Sequence, residues 1–560
     1  MSAPGAFTFV LHGHQPFLRQ DGRLALGHHA EEWLHDAIIE TYIPLLETLY
    51  DLSEEGVDFR FALGVSPVLA EQLADPLVLE HFERYLDERI EAAQNDMLYF
   101  EREAYNDHLR FLAEWYRDGF ERIKTAFNER FGRDLIGALR RLQDEGFLEI
   151  LTTAASHAYL PLLGSDASLN AQVKTAVASY RRLFGRAPTT FWLPEYGYRP
   201  ARVTQNGQAR AGIEEILAAN GISTLLVDTH SLTGAYPTGT GAGNVLGTYS
   251  GIKRRYVLPN LDYFVEGKRD ASPFAAYRSA DTTVAALARS ERVGQQVWGS
   301  ELGYPLDFDY REISRRAGTS GLAYWRVTGA KVDAANKDTY HPDWAAYKIE
   351  QHAEHFAHLV GDQLRSYNQA TGQYGLVTAA FNANQFGHWW FEGIQWLGKV
   401  LRHLSSNPEI DVTTPSAFVK EHPPKASINL REGSWGFGGM HFVWDNRENH
   451  WMWAAIRSAE TRMEQIAEHF ATPGAAEAVV LAQAARELLL LQSSDWQSLI
   501  TTDQGRAVAI RRFNEHAERF TQLADSLESG QPDVEAAQAW SQADNVFADV
   551  DYRWFSERKD

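Results

Sequence analysis

The sequence contains no cysteine. Disulfide bonds, thiolate metal ligands and cysteine nucleophiles are therefore excluded together. Long apolar runs are also missing, because no stretch reaches the roughly 20 apolar residues that a membrane-spanning helix needs. The first residues lack the charged and apolar regions of a secretory signal peptide. We therefore expect a cytoplasmic protein.

Positive charge is scarce, whereas aromatic side chains are abundant. The chain has 53 Lys and Arg against 74 Asp and Glu, which gives a formal net charge of −21 at pH 7. A field of this sign repels phosphate backbones and anionic lipid headgroups, so we expect neither nucleic acid nor a membrane as partner.

Indole and phenol rings carry polar tips and are seldom fully buried. The 16 Trp and 23 Tyr residues therefore favour a neutral or polar substrate such as a sugar.

Short β-type runs alternate with long amphipathic stretches along most of the chain. Apolar residues that recur every three or four positions predict helices, for example over 31–52, 170–184, 212–220 and 342–369. Strands that alternate with helices favour a closed or nearly closed parallel barrel over an open sheet. The predicted strands are 7–11, 59–63, 148–152, 190–193, 224–227, 296–298 and 376–381.

The same patterns predict three structural units. The barrel domain is predicted to span 1–406, and a long charged helical region at 75–133 is predicted to be an insertion within it. The strand signal stops after about residue 407. Wide apolar stripes at 476–491 and 506–527 then predict helices, so 407–560 is predicted to be an α-helical C-terminal domain.

Parallel barrels carry their chemistry at the carboxyl ends of their strands, and unusual polar residues occur there. His12 and His14 are two positions apart on a predicted strand, so their side chains share a face and could bind a metal or a sugar hydroxyl. His157 follows another strand and could join them. Glu195 follows an apolar strand and a proline and lies among three aromatic residues. This arrangement favours a functional carboxylate.

Two flexible segments carry aromatic residues that could close over such a site. The glycine-rich loop at 233–244 contains Tyr236, and a second glycine-rich stretch contains Trp435. We predict that both rings cover a bound intermediate and exclude water from it. Glu301 and Asp228 are further acids at strand ends, and each fits either a site or an ordinary ion pair.

A metal-dependent barrel hydrolase is an alternative interpretation of the histidines. Its metal would be held by His12 and His14 with His157 and Asp228 from later strands. This interpretation explains neither the aromatic excess nor the segment from Trp192 to Glu195.

Several segments together resemble glycoside hydrolase family 57, and within it the 1,4-α-glucan branching enzymes. The resemblance runs nearly end to end and implies a (β/α)7 barrel, a helical insertion and a helical C-terminal domain that leans over the active site. It also implies an α-1,4-glucan as partner and no cofactor. The segments that carry it are 12–16, 146–151, 192–195, 381–390, 433–436 and 494–496.

The resemblance implies that Glu195 is the nucleophile of a retaining reaction. The family has an aspartate as acid/base where this chain has Asn382, and another acidic residue is replaced by Asn384. A carboxamide has no proton to cycle near neutral pH. Three interpretations follow: an altered form of a working branching enzyme, a glucan-binding relative without catalysis, or an enzyme in which another acid, such as Glu301 or Asp228, carries the proton.

We further predict a set of side chains that hold the glucan around this pair. They are His12, His14, His157, Trp192, Tyr236, Trp298, Glu301, His388, Trp389, Trp390, Trp435 and Asp495.

Overall fold

The structure is a computed structural model that describes residues 3–19, 31–204, 207–234, 271–299, 303–329 and 331–556. Two predicted site residues, Tyr236 and Glu301, and most of the glycine-rich loop lie outside these ranges. The strands are β1 Gly5–Gly13, β2 Phe61–Val65, β3 Leu148–Leu151, β4 Thr190–Trp192, β5 Arg202–Val203, β6 Ala209–Arg210, β7 Thr224–Val227, β8 Tyr277–Ser279, β9 Ala285–Ala288, β10 Gly375–Asn382, β11 Asp411–Val412 and β12 Ser427–Ile428.

The helices surround these strands and make up most of the carboxy-terminal part. They are α1 Glu32–Ala37, α2 Ile43–Glu54, α3 Pro67–Leu73, α4 Pro76–Arg102, α5 Asp107–Thr125, α6 Leu135–Asp144, α7 Asp166–Phe184, α8 Ile213–Ala219, α9 Thr229–Thr233, α10 Glu291–Trp298, α11 Pro342–Thr371, α12 Gly393–Ser405, α13 Pro415–Glu421, α14 His450–His469, α15 Ala475–Leu491, α16 Asp495–Thr502, α17 Arg506–Glu528 and α18 Val534–Ala543. Within the described ranges, none of them has the length and apolar character needed to cross a membrane.

The parallel strands close into a barrel. Strands β10, β1, β2 and β3 are neighbours in that order, and β4, β7 and β9 form a second parallel set. A parallel bridge between Thr152 and Phe191 joins β3 to β4. The backbone N–H of Ser290, just after β9, donates to the carbonyl of Thr378 on β10 at 2.7 Å and closes the circle.

The barrel interior is a small apolar cluster of its own. Successive side chains of a strand point to opposite faces, so every second residue of each barrel strand faces inward. The inward set comprises Ala6, Val10, Ala62, Leu151, Trp192, Leu226, Leu287, Leu376 and Ala380, all buried. In the described part of the chain, seven barrel strands thus contribute to one interior, and the predicted (β/α)7 barrel is confirmed.

One predicted strand is wrong. Residues 296–298 belong to α10, a helix capped by Ser290, whose hydroxyl accepts from the N–H of Val293 at 3.5 Å. The barrel strand at this place is β9, Ala285–Ala288. Three of its four residues are alanine, which has a low strand propensity, so the run gave little local signal. Burial within the barrel stabilises it instead.

The segment at 75–133 forms two long helices, α4 and α5, rather than one. Asn106 caps the start of α5, because its side chain accepts a hydrogen bond from the N–H of Leu109 at 3.0 Å. Asp96 on α4 accepts from the hydroxyl of Tyr324 at 2.7 Å, which ties the pair to the chain between α10 and α11. We retain 75–133 as a proposed insertion.

We propose that the boundary predicted at 406 lies further towards the carboxyl terminus. Strand β11 pairs with β1, and β12 pairs with β8, so the barrel sheets continue past residue 407. Two-residue strands are too short to show alternation, which explains why the strand signal stopped early. The helices that pack together as a separate group begin with α14 at His450.

Gly387 provides a test of how tightly the turn after β10 is packed. It has φ of +92°, and a Cβ there would lie 1.8 Å from the carbonyl oxygen of Glu40. Gly372, after α11, has φ of +67° but open space around it. We expect Gly372→Ala to cost about 1 kcal/mol of unfolding free energy from backbone strain alone. Gly387→Ala should cost several times more in urea unfolding, and equal losses would contradict the predicted clash.

Candidate active site

Glu195 lies on a strained turn directly after β4. Its backbone has φ of 58° and ψ of 22°, and Tyr196 follows with φ of 52°. Non-glycine residues seldom adopt this left-handed region, and such strain persists only where the surroundings hold it. Here the backbone of 433–435 pairs with the turn. Tyr198 and Gly433 exchange hydrogen bonds at 2.9 and 3.1 Å, and the N–H of Trp435 donates to the carbonyl of Glu195 at 3.1 Å.

The carboxyl group of Glu195 accepts a hydrogen bond from the indole of Trp435, with Nε1 and Oε2 2.6 Å apart. Burial raises the pKa of Glu195 from its usual 4.5 to about 7. The Trp435 hydrogen bond and the charge of His14 oppose that rise, whereas the charge of Asp495 adds to it. The group is therefore poised between its protonated and ionised forms near neutral pH.

The predicted histidines meet beside Glu195. The Nε2 atoms of His12 and His157 are 3.1 Å apart, and the rings of His14 and His157 stack with centroids 3.9 Å apart. His12 also stacks on Trp192, which faces the barrel interior. Burial lowers the pKa of both His12 and His157, and the charge of His14 contributes to each shift. Both rings are therefore neutral hydrogen-bonding groups at pH 7.

The helical C-terminal part supplies partners for these histidines. His14 Nε2 lies 2.9 Å from Oδ2 of Asp495, and His14 Nδ1 lies 2.9 Å from the hydroxyl of Ser66. A carboxylate only accepts, so His14 Nε2 carries the proton in this pair. His157 Nδ1 lies 3.1 Å from the hydroxyl of Ser494. Residues at the start of α16 thus fix the orientation of rings on the barrel.

Asn382 and Asn384 face the same cleft from the end of β10. In the strand register Asn382 pairs with His12, and the Tyr42 hydroxyl donates to Oδ1 of Asn384 at 3.4 Å. Together the two asparagines place amide groups, not carboxyl groups, on this wall. The residues that line the cleft are His12, His14, His157, Glu195, Asn382, Asn384, Asp495, Ser498 and Leu499.

Six of the described side chains predicted to hold glucan do not line this cleft: Trp192, Trp298, His388, Trp389, Trp390 and Trp435. Trp192 is fully buried in the barrel interior, and Trp435 reaches the site through its hydrogen bond to Glu195. Trp390 is 1% exposed and packs against Trp396 in the core, because an indole can fill a large internal space as well as bind a sugar. His388 Nδ1 lies 2.6 Å from the carboxylate of Glu40, and half-buried Trp389 packs against its ring. Trp298 ends α10 and packs on the same core.

Asp228, considered above as another acid for the reaction, is held in an ion pair. Its carboxylate lies 2.7 Å from a guanidinium nitrogen of Arg289 and 3.1 Å from Nδ1 of His230. Burial raises its pKa, but the charge of Arg289 and the contact with His230 outweigh burial and hold the pKa at about 2. Asp228 is therefore ionised at neutral pH and cannot donate a proton there.

Two cleft residues, Ser498 and Leu499, were missed in the sequence. They lie three and four positions after Asp495 on α16, so all three share one helical face. A helix predicted from residue 495 onward would have placed them beside Asp495. Ser66 follows a predicted strand and Ser494 belongs to the segment 494–496, but their histidine partners could not be predicted, because these contacts join segments far apart in the chain.

The histidines and Asp228 do not converge as metal ligands. In the described ranges, one group of three or more His, Asp or Glu residues has its possible ligand atoms within 4.8 Å of one another. This group consists of Glu487, His516 and Asp544. This group is buried among the C-terminal helices, where Asp544 also pairs with Arg512 at 3.1 Å and with Arg519. Two guanidinium groups already neutralise it, so it is an internal ion-pair network.

Comparison with known proteins defines the class to which this barrel and cleft belong. The profile of glycosyl hydrolase family 57 matches residues 8–431, and a profile described as the C-terminal part of 1,4-alpha-glucan branching enzyme matches 455–555. The chain belongs to glycosyl hydrolase family 57, and the family predicted from the motifs is confirmed.

Individual members of the family are similar to nearly the whole chain. The chain is 38% identical to a 1,4-alpha-glucan branching enzyme of Thermococcus kodakarensis over 98% of its own length and 78% of that protein. The crystal structure of a family 57 branching enzyme from that organism, in complex with glucose, superposes with a TM-score of 0.87 at 35% identity, covering 99% and 97% of the two chains. An alpha-amylase from Thermotoga maritima superposes with a TM-score of 0.82 at 27% identity, covering 99% and 100%.

The contact between Trp435 and Glu195 predicts a change in the pKa of Glu195 that can be measured without catalytic activity. The indole N–H stabilises the carboxylate, so Trp435→Phe should raise the pKa of Glu195 above the value of about 7. The carboxylate forms above the pKa. In Trp435→Phe, the infrared band of the protonated Glu195 carboxyl group should therefore disappear at a higher pH than in the parent protein. Each protein is measured against its own Glu195→Gln counterpart. A wild-type midpoint near 4.5, or the same midpoint in both proteins, would contradict this assignment.

Proposed function

We propose that the protein is an α-glucan branching enzyme that cleaves α-1,4 links and transfers the chain to a 6-hydroxyl group. The observation that carries the proposal is the position of Glu195 at the carboxyl end of the barrel, bound by Trp435 and open to a cleft lined by histidines, amides and Asp495. The profile match at 455–555 favours branching over simple hydrolysis, which the similarity to an amylase would otherwise allow equally.

In the proposed reaction, ionised Glu195 attacks the anomeric carbon of a glucose unit bound in the cleft. The bond from that carbon to the leaving oxygen breaks, and a covalent glycosyl-enzyme forms. The 6-hydroxyl of another glucan chain then attacks the same carbon and releases Glu195. Two displacements retain the configuration, so the product link is α-1,6.

The histidines around Glu195 suit the binding of sugar hydroxyls. His12 and His157 share one hydrogen bond, and His14 is held between Ser66 and Asp495, so the three rings are oriented before substrate arrives. Preorganised groups lose little entropy when they bind. Water must also be kept from the glycosyl-enzyme, and Trp435 lies against the catalytic turn where it can cover that intermediate.

The amide at position 382 limits this chemistry. A retaining reaction needs a carboxyl group roughly 5 to 5.5 Å from the nucleophile to protonate the leaving oxygen and then to deprotonate the acceptor. Asn382 can hold that oxygen but has no proton to exchange. We therefore propose that chemistry is slow in this chain, because water, instead of a carboxyl group at this position, has to supply the proton to the leaving oxygen and take up the proton of the 6-hydroxyl.

A second candidate function is a glucan-binding protein without catalysis. The observation that favours it is specific: both Asn382 and Asn384 are amides at the cleft, and Asp228 is fixed in an ion pair. Such a protein would bind amylose without changing its branching or its iodine staining. A metal-dependent hydrolase has less support, since the four expected ligands do not converge.

Restoring the carboxyl group separates these two functions. We expect Asn382→Asp, alone or together with Asn384→Glu, to raise the formation of α-1,6 branches on amylose by about 100- to 10,000-fold, the usual contribution of general acid/base catalysis. Branches are counted by NMR of the anomeric protons, and the fall in iodine staining follows the same reaction.

Matched variants control this experiment. Asn382→Ala removes the amide without adding a proton and should give no gain, and Glu195→Gln combined with Asn382→Asp should abolish the gain. If neither aspartate-containing variant forms branches faster than the parent while amylose binding is intact, the glucan-binding function is favoured.

A further inference from the structure

A group of stacked rings lies on the outer surface where α5 meets the first turns of α11. The rings of His108 and His341 stack with centroids 4.2 Å apart, and those of His341 and Trp344 with centroids 4.0 Å apart. Phe111 lies beside His108 at 6.2 Å, and Tyr347 is one helical turn after Trp344 on the same side of α11. We call these five residues the α5–α11 aromatic surface.

The apolar members of this surface are unusually accessible. Phe111 is 48% exposed, Trp344 is 49% exposed and Tyr347 is 66% exposed. The exposed part of each ring contributes nothing to the core, and a cluster of such rings marks a binding surface more often than scattered rings do. Packing within the molecule therefore does not fully explain why three large rings are gathered here.

The rings are held in place and are surrounded by polar groups. His108 Nε2 donates to the carbonyl of Tyr340 at 2.8 Å, and the guanidinium of Arg326 lies 5.5 Å from the ring of Trp344. Arg326 is itself fixed by Asp309 at 3.1 Å and by Asp338 at 2.8 Å. Flat apolar faces beside charged hydrogen-bonding groups match a sugar unit, which has apolar C–H faces and hydroxyl groups around its edge.

The surface lies at the same end of the barrel as the cleft. Helix α11 has 30 residues and is about 45 Å long, whereas β10, which follows it and runs back, has 8 residues and is about 26 Å long. The first turns of α11 therefore extend beyond the carboxyl end of the barrel. Phe391, next to Trp390 in the segment after β10, packs against Trp115 of α5 at 5.6 Å and joins the two regions.

We propose that the α5–α11 aromatic surface is a second α-glucan-binding site, which holds a distant part of a chain that also enters the cleft. This inference rests on the proposed function. The partner is a neutral polysaccharide because the net charge of −21 disfavours acidic ligands, and because the surface presents stacked rings with fixed polar neighbours instead of a continuous apolar face. A long chain bound at two points is retained more strongly than a short one.

The experiment compares Trp344→Ala/Tyr347→Ala with the parent in native gels that contain amylose, and separately measures binding of maltotriose. We expect the dissociation constant for amylose to rise about tenfold, since the second point of attachment is lost, and the constant for maltotriose at the cleft to stay unchanged. Trp451→Ala is the matched control, because Trp451 is 44% exposed but lies on α14 outside this surface, and it should leave both constants unchanged. Compared with Trp344→Ala/Tyr347→Ala, the variant Trp344→Phe keeps a ring at position 344 and should therefore bind amylose more tightly.

Three outcomes would overturn the inference. If Trp344→Ala/Tyr347→Ala retains parental amylose affinity while Trp435→Ala weakens it, the second site is wrong and the proposed function stands. If the parent itself does not bind amylose or maltotriose, both fail together. If sedimentation shows that the double variant changes the oligomeric state but not the amylose affinity, the surface is an interface between copies of this chain.

Thermal melting of each variant shows whether the fold is intact, and a poorly folded double variant is replaced by Tyr347→Ala alone.

Discussion

The pairing of the turn that holds Glu195 with the segment 433–435 is the interaction on which the rest of the site depends. Glu195 has a backbone conformation that an isolated chain would rarely populate, and neighbouring backbone hydrogen bonds keep it there. The same segment then brings the indole of Trp435 to the carboxylate, although the two residues are 240 positions apart. The contacts with this one segment therefore fix the position, the hydrogen bonding and part of the pKa of Glu195.

The cleft belongs to the barrel and the C-terminal helices together. His14 and Asp495 are 481 positions apart, and His157 and Ser494 are 337 apart, yet both pairs hydrogen-bond at the cleft. Without α16, His14 and His157 would lose these two hydrogen bonds, and Asp495 would lose its contact with His14. The parts of the chain matched by the two profiles, 8–431 and 455–555, both contribute residues to the cleft.

The two amides at the end of β10 affect the charge of the cleft as well as its supply of protons. The carboxyl groups that line the cleft are those of Glu195 and Asp495. A carboxyl group buried there remains easy to protonate, which opposes its use as a nucleophile but not its hydrogen bonding to a sugar. Binding and chemistry therefore place different demands on the same cleft. The proposed external aromatic surface would contribute to binding alone.

Local patterns in the sequence were sufficient for the barrel, for most of its strands and for the family. Strand-end positions indicated Glu195, His12, His14 and His157, because strand alternation and the closed parallel sheet determine which ends meet. Strand β9 was missed since alanine carries no strong strand preference, and the strand is stabilised by burial between neighbours.

What the sequence by itself determined was the type of each element and the chemical identity of the groups at the strand ends. Only the tertiary structure decided which aromatic rings reach Glu195 and which fill the core, as Trp435 and Trp390 show, because the same indole satisfies either environment. It also decided that Asp228 is bound to Arg289 while Asp495 is turned to the cleft. Such choices depend on contacts between residues hundreds of positions apart, and local propensity contains no information about them.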